Sequence, residues 1–305
     1  MKLSINVTRF DYPGGPEALR HHLKTLAETV DGAGIDTMWV GDHLIQADPF
    51  ADDADPMLEA YTTLGFLAAA TTRLRLGTMV SAATYRAPAL LIKAVTTLDV
   101  LSGGRAWLGI GAGYQQREAD AMGLFLPPVP ERFARLEETL KLAAQMWAGD
   151  PAAFTGPFLQ LGQPISAPRP ISAPRPRILI GGTGPKRTLR LVAEYADAAN
   201  FFDIPDGGTA LRNNLAVLAE HCAAVGSDPD DIEHTVTTAV VPDETASQLA
   251  DRCLALADLG IDHVVLIPRA RPWLISDTDL LADTAKIITP LRATKPTMRH
   301  CLRLR

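Results

Sequence analysis

Cysteine is scarce in this chain, and its placement excludes more than its number does. Cys222, Cys253 and Cys301 are the only three in 305 residues, and no pair has C-x-x-C or longer zinc-ligand spacing. Neither a disulfide framework nor a metal centre is expected, and reduced thiols suit a cytoplasmic protein. Positive charge is not in excess: 29 Lys and Arg stand against 35 Asp and Glu, a net charge of −6. That balance leaves no electrostatic footprint for nucleic acid or for an anionic membrane surface. Long apolar runs are missing too, since Arg, Asp or Gly interrupts each one before the ~20 residues a spanning helix needs. Met1, Lys2 and Leu3 lead directly into an alternating strand, so no secretory leader is expected. The dinucleotide fingerprint G-x-G-x-x-G is absent after that strand, where Thr8 to Tyr12 follow and glycines come only at 14 and 15.

What is present is a chain 47% hydrophobic, ample for a large core, in which short apolar runs alternate with longer helix-period segments. The runs at 3–7, 37–40, 74–80, 106–110, 178–180, 198–202, 232–241 and 263–267 read as strands. Helices are expected at 16–33, 58–70, 88–101, 131–147, 185–195, 209–225, 244–259 and 277–291. Eight βα units in sequence demand parallel strands with right-handed crossovers, and closing them removes both edges. A (β/α)8 TIM barrel is therefore expected over 1–305 as one domain, in preference to a doubly wound open sheet, with 293–305 as a C-terminal tail. Residues 148–177 break the pattern as an extended proline-rich insertion before the fifth strand. They hold a tandem hexapeptide, Ile165 to Pro170 and again Ile171 to Pro176, whose proline density precludes helix. Upstream, 154–161 has room for a short hairpin. The repeat reads as a duplication in an exposed connection.

Chemistry in such a barrel sits on the loops after the strands. After the second strand come Gly41, Asp42 and His43. A His beside an Asp at that point can orient a reacting ring or handle a proton, and it can equally be a loop cap tied to its neighbour. After the fourth strand, Gly109, Gly111 and Gly113 alternate with Ile110 and Ala112, with Tyr114 and then Glu118 beyond. Glycines there leave space for a planar ring or a sugar chain, although they also ease packing at a rim. After the fifth, Gly181, Gly182, Thr183 and Gly184 precede Pro185, Lys186 and Arg187. Successive N–H groups, a helix start and two cations make an anion nest, the alternative being an ordinary tight turn.

Several longer segments carry a resemblance: Asp55 to Tyr61, Arg73 to Thr78, Leu98 to Gly111, Glu131 to Glu138 and Ile178 to Gly182. In this order they are similar to the luciferase-like monooxygenase superfamily, within it the branch using the deazaflavin coenzyme F420, and the likeness covers nearly the whole chain. The resemblance implies a (β/α)8 barrel with the cofactor ring across its C-terminal mouth. It places Asp42 and His43 beside the ring as the catalytic pair. Val7 and the Met79-Val80 peptide, the latter often a non-prolyl cis bond in this branch, would back the ring. Gly111, Ala112 and Gly113 would flank the cofactor chain, and Gly181, Gly182, Thr183 and Gly184 would hold its phosphate. It further implies a homodimer, with helix 58–70 near the contact, and a small-molecule substrate. One departure is notable: sugar-phosphate dehydrogenases of this family carry an acid directly behind the fourth-strand glycines, where this chain has Tyr114, so sugar-phosphate oxidation is not expected. Three functions follow as alternatives: an F420-dependent hydride-transferring oxidoreductase, an FMN-dependent monooxygenase, and a non-catalytic flavin- or deazaflavin-binding protein. Phe50, Tyr85, Phe125 and Trp273 are candidate apolar wall residues.

Overall fold

Alternation within the first strand separates two cores. In β1 (Lys2–Val7), Leu3, Ile5 and Val7 join the large core beneath the helices, while Ser4 and Asn6 point the other way, toward the barrel axis. The computed structural model describes residues 1–48 and 51–289. After β1 come α1 (Gly15–Gly32), β2 (Thr37–Val40), α2 (Ala60–Ala70), β3 (Arg75–Thr78), β4 (Ser81–Ala82) and α3 (Pro88–Ser102). Next are β5 (Trp107–Gly111), α4 (Gln116–Met122), α5 (Val129–Ala148), a hairpin of β6 (Phe154–Thr155) and β7 (Gln160–Leu161), then β8 (Arg177–Gly181). The chain continues through α6 (Thr188–Tyr195), β9 (Ala198–Phe202), α7 (Thr209–Val225), β10 (Glu233–Ala239), α8 (Ala246–Asp258), β11 (His263–Ile267) and α9 (Asp277–Ile288).

Nine of these strands form one parallel sheet in the order β3-β2-β1-β11-β10-β9-β8-β5-β4. A bridge between Leu76 and Ala106 joins β3 to the start of β5, so the sheet curls into a nearly closed barrel. The expected third strand, 74–80, is in fact two pieces. It breaks at a cis peptide between Met79 and Val80, and β4 resumes beside Ile110 and Gly111. The extra helix α4 had no counterpart in the periodicity; it is only seven residues long, too short to establish a pattern. The helix expected from Pro185 starts at Thr188, because residues 182–187 form a loop. Residue 291 and the tail 293–305 lie outside the described residues, as do Cys301 and Phe50.

The insertion climbs along α5 and returns along α3. Phe158 N donates to both carboxylate oxygens of Glu138 at 3.1 and 3.2 Å. On the return, Asp99 accepts from Ile171 N at 2.8 Å and from Ser172 N at 2.9 Å. Lys93 reaches the Ala167 carbonyl in the first copy of the repeat, and Arg175 in the second pairs with Asp197. Identical hexapeptides thus take different partners, and both Ala–Pro bonds are cis.

Trp39, Trp107, Leu179, Ala198 and Val265 fill the barrel axis, with Met79 and Val80 packed on them. A charged network lines the opposite, N-terminal end. Glu233 takes Lys2 Nζ at 2.6 Å, Arg177 Nη1 at 2.9 Å and His263 Nδ1 at 2.6 Å, and His263 in turn meets Ser4. Burial works to raise the Glu233 pKa, but His263 and then Lys2 and Arg177 hold it far below the usual carboxylate range. Removing one partner of a buried network exposes the remaining charges to uncompensated burial. Glu233→Gln is accordingly expected to cost about 2 kcal/mol by urea denaturation at neutral pH, short of a full burial penalty because Lys2 and Arg177 are partly solvated. A depressed folded-state pKa stabilises above the unfolded value and is lost as pH falls through the folded one. The gap between wild type and variant should narrow in acid; a gap that widens there contradicts this account.

Candidate active site

Gly41 leaves β2 with its N–H still bonded to the Val7 carbonyl at 2.9 Å, which fixes where the next two side chains emerge. They part company. Asp42 is 4% exposed and accepts three hydrogen bonds, from Ser81 Oγ at 2.5 Å and from Arg86 Nη1 and Nη2 at 2.5 and 2.8 Å. Arg86 also binds Glu59 at 2.6 Å and lies 5.1 Å over the Tyr61 ring. Burial alone would lower the Arg86 pKa, yet Asp42 and Glu59 raise it, so the guanidinium stays charged. Ser81 Oγ also lies 3.0 Å from Thr78 Oγ1, and Thr78 donates to the Gly109 carbonyl at 2.8 Å. Asp42 therefore braces the broken third strand from both sides of the Met79–Val80 bond.

His43 turns toward β5. Its Nδ1 lies 2.8 Å from Glu118 Oε2, while Glu118 Oε1 accepts from Leu44 N at 2.5 Å. Glu118 is fully buried on α4. Burial pushes its pKa up, but the His43 contacts and the Leu44 N–H prevail and keep it below the ordinary glutamate value. An ionised carboxylate can only accept, so Nδ1 carries hydrogen and Nε2 is the nitrogen left to meet a ligand. The side chain is 22% exposed, enough for that contact. Tyr114 presents its edge to the imidazole at 6.0 Å and is itself exposed.

Val80 completes the wall. A β-carbon at position 111 or at position 181 would lie 3.0 Å from Val80 methyls, so glycine at both lets these two strand ends close around that side chain without displacing it. Ala112 and Gly113 continue outward half-buried, Gly113 at φ +80°. Beyond Gly181, Gly182 sits at φ +116°, and Thr183 and Gly184 lead to α6, whose first turn has no side-chain cap. Lys186 and Arg187 are exposed beside it.

The sequence-predicted residues therefore share a contiguous arc of the C-terminal mouth, on β1, β2, β4, β5 and β8 and the loops behind them. Val7 is on that arc, but its side chain lies in the outer core with the helices. Trp273 is buried, donating Nε1–H to the Asn6 carbonyl. Arg86 and Ser81 escaped sequence reading, because they reach Asp42 across a fold of about forty residues. Glu118 was visible only as an acid trailing the glycines; nothing local signals that it will meet His43, 75 residues earlier. Among the described residues no group of three His, Cys, Asp or Glu could hold a metal.

The sequence profile of the luciferase-like monooxygenase family matches residues 3–272. An F420-dependent glucose-6-phosphate dehydrogenase of Kineococcus radiotolerans is 31% identical over 244 residues, covering 78% of this chain and 69% of that enzyme. An F420-dependent hydroxymycolic acid dehydrogenase of Mycobacterium tuberculosis is 30% identical over 73% of this chain and 60% of its own length. Three other glucose-6-phosphate dehydrogenases of this kind are covered over 54–66% of their length, and that of Beutenbergia cavernae over 79%. A solved F420-dependent secondary alcohol dehydrogenase, in complex with an F420-acetone adduct, shares the fold with a TM-score of 0.78 at 20% identity, covering 95% of this chain and 98% of that one. With a profile match over most of its length, the chain belongs to the luciferase-like monooxygenase family.

Proposed function

We propose that the protein is an F420-dependent oxidoreductase that moves a hydride between the deazaflavin and a small alcohol or carbonyl compound at the barrel mouth. The observation that carries this reading is the wall made by Val80 between Gly111 and Gly181, with His43 on the loop after β2 held through Nδ1 by Glu118 so that Nε2 is left to meet a ligand. The residues present fit the group. Gly111 and Gly181 add no side chains to the wall beside Val80, and the uncapped start of α6 with Lys186 and Arg187 suits a phosphate. Asp42, Met79, Val80, Gly111, Ala112 and Gly113 would bound the ring and its chain, with Gly181, Gly182, Thr183 and Gly184 at the phosphate; the Val7 side chain, turned toward the helices, would not touch the ring. A bound deazaflavin supplies a two-electron hydride donor or acceptor, and the protein supplies position and electrostatics.

His43 acts at the substrate oxygen. In the oxidative direction Nε2 takes the hydroxyl proton, and in the reductive direction it returns one. The positive ring that forms is balanced by Glu118, which stays ionised beneath it. Asp42 holds no proton to exchange; three donors occupy it, and its task is to keep the loop and the Met79–Val80 turn in place. Tyr114 offers no carboxylic acid behind the glycines, so sugar phosphates are not the proposed substrates. The relatives that act with F420 support the cofactor choice over FMN.

No helix among the described residues is long and apolar enough to cross a membrane, and the described thiols Cys222 and Cys253 are buried and unpaired. A cytoplasmic homodimer is the proposed working form, with α2 near the contact. Titration of the purified protein with F420 and with FMN tests the cofactor. Affinity for F420 should exceed that for FMN by at least about tenfold, a difference of 1.4 kcal/mol. Tighter binding of FMN would transfer the reading to monooxygenation.

A further inference from the structure

A cleft of about 280 Å³ opens beside the mouth, between the loop after β4, the turn after α4, the helix α5 and the tip of the insertion hairpin. Tyr85, Leu124, Phe125, Arg135, Phe158 and Leu159 make most of its surface. Phe125 and Phe158 are both exposed, and they stack on the Arg135 guanidinium at 4.9 and 4.8 Å. That charge is already engaged, since Arg135 binds Glu131 at 2.7 Å. The other charges are engaged likewise: Glu138 by the Phe158 N–H, and Arg86 by Asp42 and Glu59. What the cleft offers a guest is therefore aromatic and aliphatic surface, with the Thr84 hydroxyl buried in its wall and lacking a hydrogen-bond partner among the described residues.

The cleft lies next to the loop that carries Asp42 and His43. A second cavity of about 180 Å³ is lined by Asp42, Leu44, Glu59, Tyr85, Arg86 and Leu124, so three walls are common to both. Leu44 follows His43 in the chain, and Glu118 holds the Leu44 N–H and the His43 ring together. Leu124, Tyr85 and Arg86 thus stand between the cavity at Asp42 and Leu44 and the aromatic rim. A partner protein could cover Phe125 and Phe158 without any inner cavity; a chain-like molecule uses both.

We infer that this cleft holds the apolar, non-reacting tail of the substrate, so that the enzyme takes secondary alcohols or ketones bearing an alkyl or aryl chain. The inference rests on the oxidoreductase reading for the reacting end of that molecule. Among the described residues the cations lining the cleft, Arg86 and Arg135, are already paired with carboxylates, which sets the tail apart from anionic ones.

The test compares 2-propanol with 2-octanol on the F420-loaded enzyme. Each buried methylene is worth about fourfold, so even partial burial should give 2-octanol at least about a hundredfold higher kcat/KM. Leu124→Trp, which enlarges a wall common to both cavities, should reduce that ratio by about tenfold or more. Phe158→Ala, at the rim, should reduce it about threefold and guards against a misfolded tryptophan variant. A wild-type ratio near one, or ratios unmoved in both variants, overturns the inference. So does a change of oligomeric state with the ratio preserved, which would assign the cleft to a second copy of the chain. Should the protein fail to bind F420 at all, the oxidoreductase reading falls separately. Calorimetric titration of the chain with 2-octanol then decides: binding weakened by Leu124→Trp supports the cleft, and equal binding refutes it.

Discussion

Gly109→Ala should yield no stably folded protein, or one destabilised by more than about 4 kcal/mol. A β-carbon at this position on β5 would stand 1.7 Å from the Thr78 carbonyl oxygen, far inside any permissible contact. Most overpacked cores relax by moving a side chain, at about 1–3 kcal/mol. Here both sides of the overlap are backbone. Thr78 is paired with Val40 in β2, and Met79 N donates to the Val40 carbonyl at 3.0 Å, so β3 has no room to retreat. Moving β5 instead would part it from β8, where Gly109 pairs with Leu179. Gly32→Ala is the matched control: nothing lies within 4 Å of its β-carbon and it sits within α1, so alanine there should be neutral or stabilising by up to about 1 kcal/mol. Urea midpoints for the two variants decide the matter, and a Gly109→Ala protein within about 1 kcal/mol of wild type would show the strands to be looser than this packing.

The same residue shows how far sequence carries and where it stops. Alternating glycines at 109, 111 and 113 announce a crowded strand end, but three different neighbours crowd them: the Thr78 backbone, the Val80 side chain and Ala82. Those neighbours belong to β3, β4 and the cis turn between them. A run of apolar residues from 74 to 80 has no local feature that says where it will break, because the break is imposed by β5 on one side and by the Asp42–Ser81 contact on the other. The barrel itself was legible since it follows from the order of short and long apolar periods, which is a property of neighbours in the chain. Asp42 and His43 were legible as a pair for the same reason. Their separation into a brace bound by Arg86 and an imidazole bound by Glu118 was not, since each partner arrives from a different βα unit. Adjacent residues on an extended stretch point to opposite sides, in keeping with Asp42 turning to Arg86 and His43 to Glu118.

His43→Ala is the second large effect: turnover should fall by about two orders of magnitude, the usual scale of one acid–base contribution. Affinity for F420 should stay within about tenfold, because the glycine wall, Val80 and the α6 start do not depend on the imidazole. Losing the ring also leaves Glu118 fully buried with Leu44 N as a remaining donor, so part of any stability change belongs to that carboxylate and not to catalysis. Glu118→Gln separates the two contributions. Glutamine keeps an acceptor for Nδ1–H and fills the same space, but it removes the charge that balances a protonated ring. Its turnover should drop by about tenfold, less than that of the alanine variant, and the urea midpoint should fall by the equivalent of about 1–3 kcal/mol, because the amide NH2 then faces the Leu44 N–H. If Glu118→Gln matched wild type while His43→Ala lost turnover, the imidazole would be orienting the substrate without taking its proton. If both retained full turnover with F420 bound, proton transfer would have to come from a group other than His43, and the proposed role of this pair would fall.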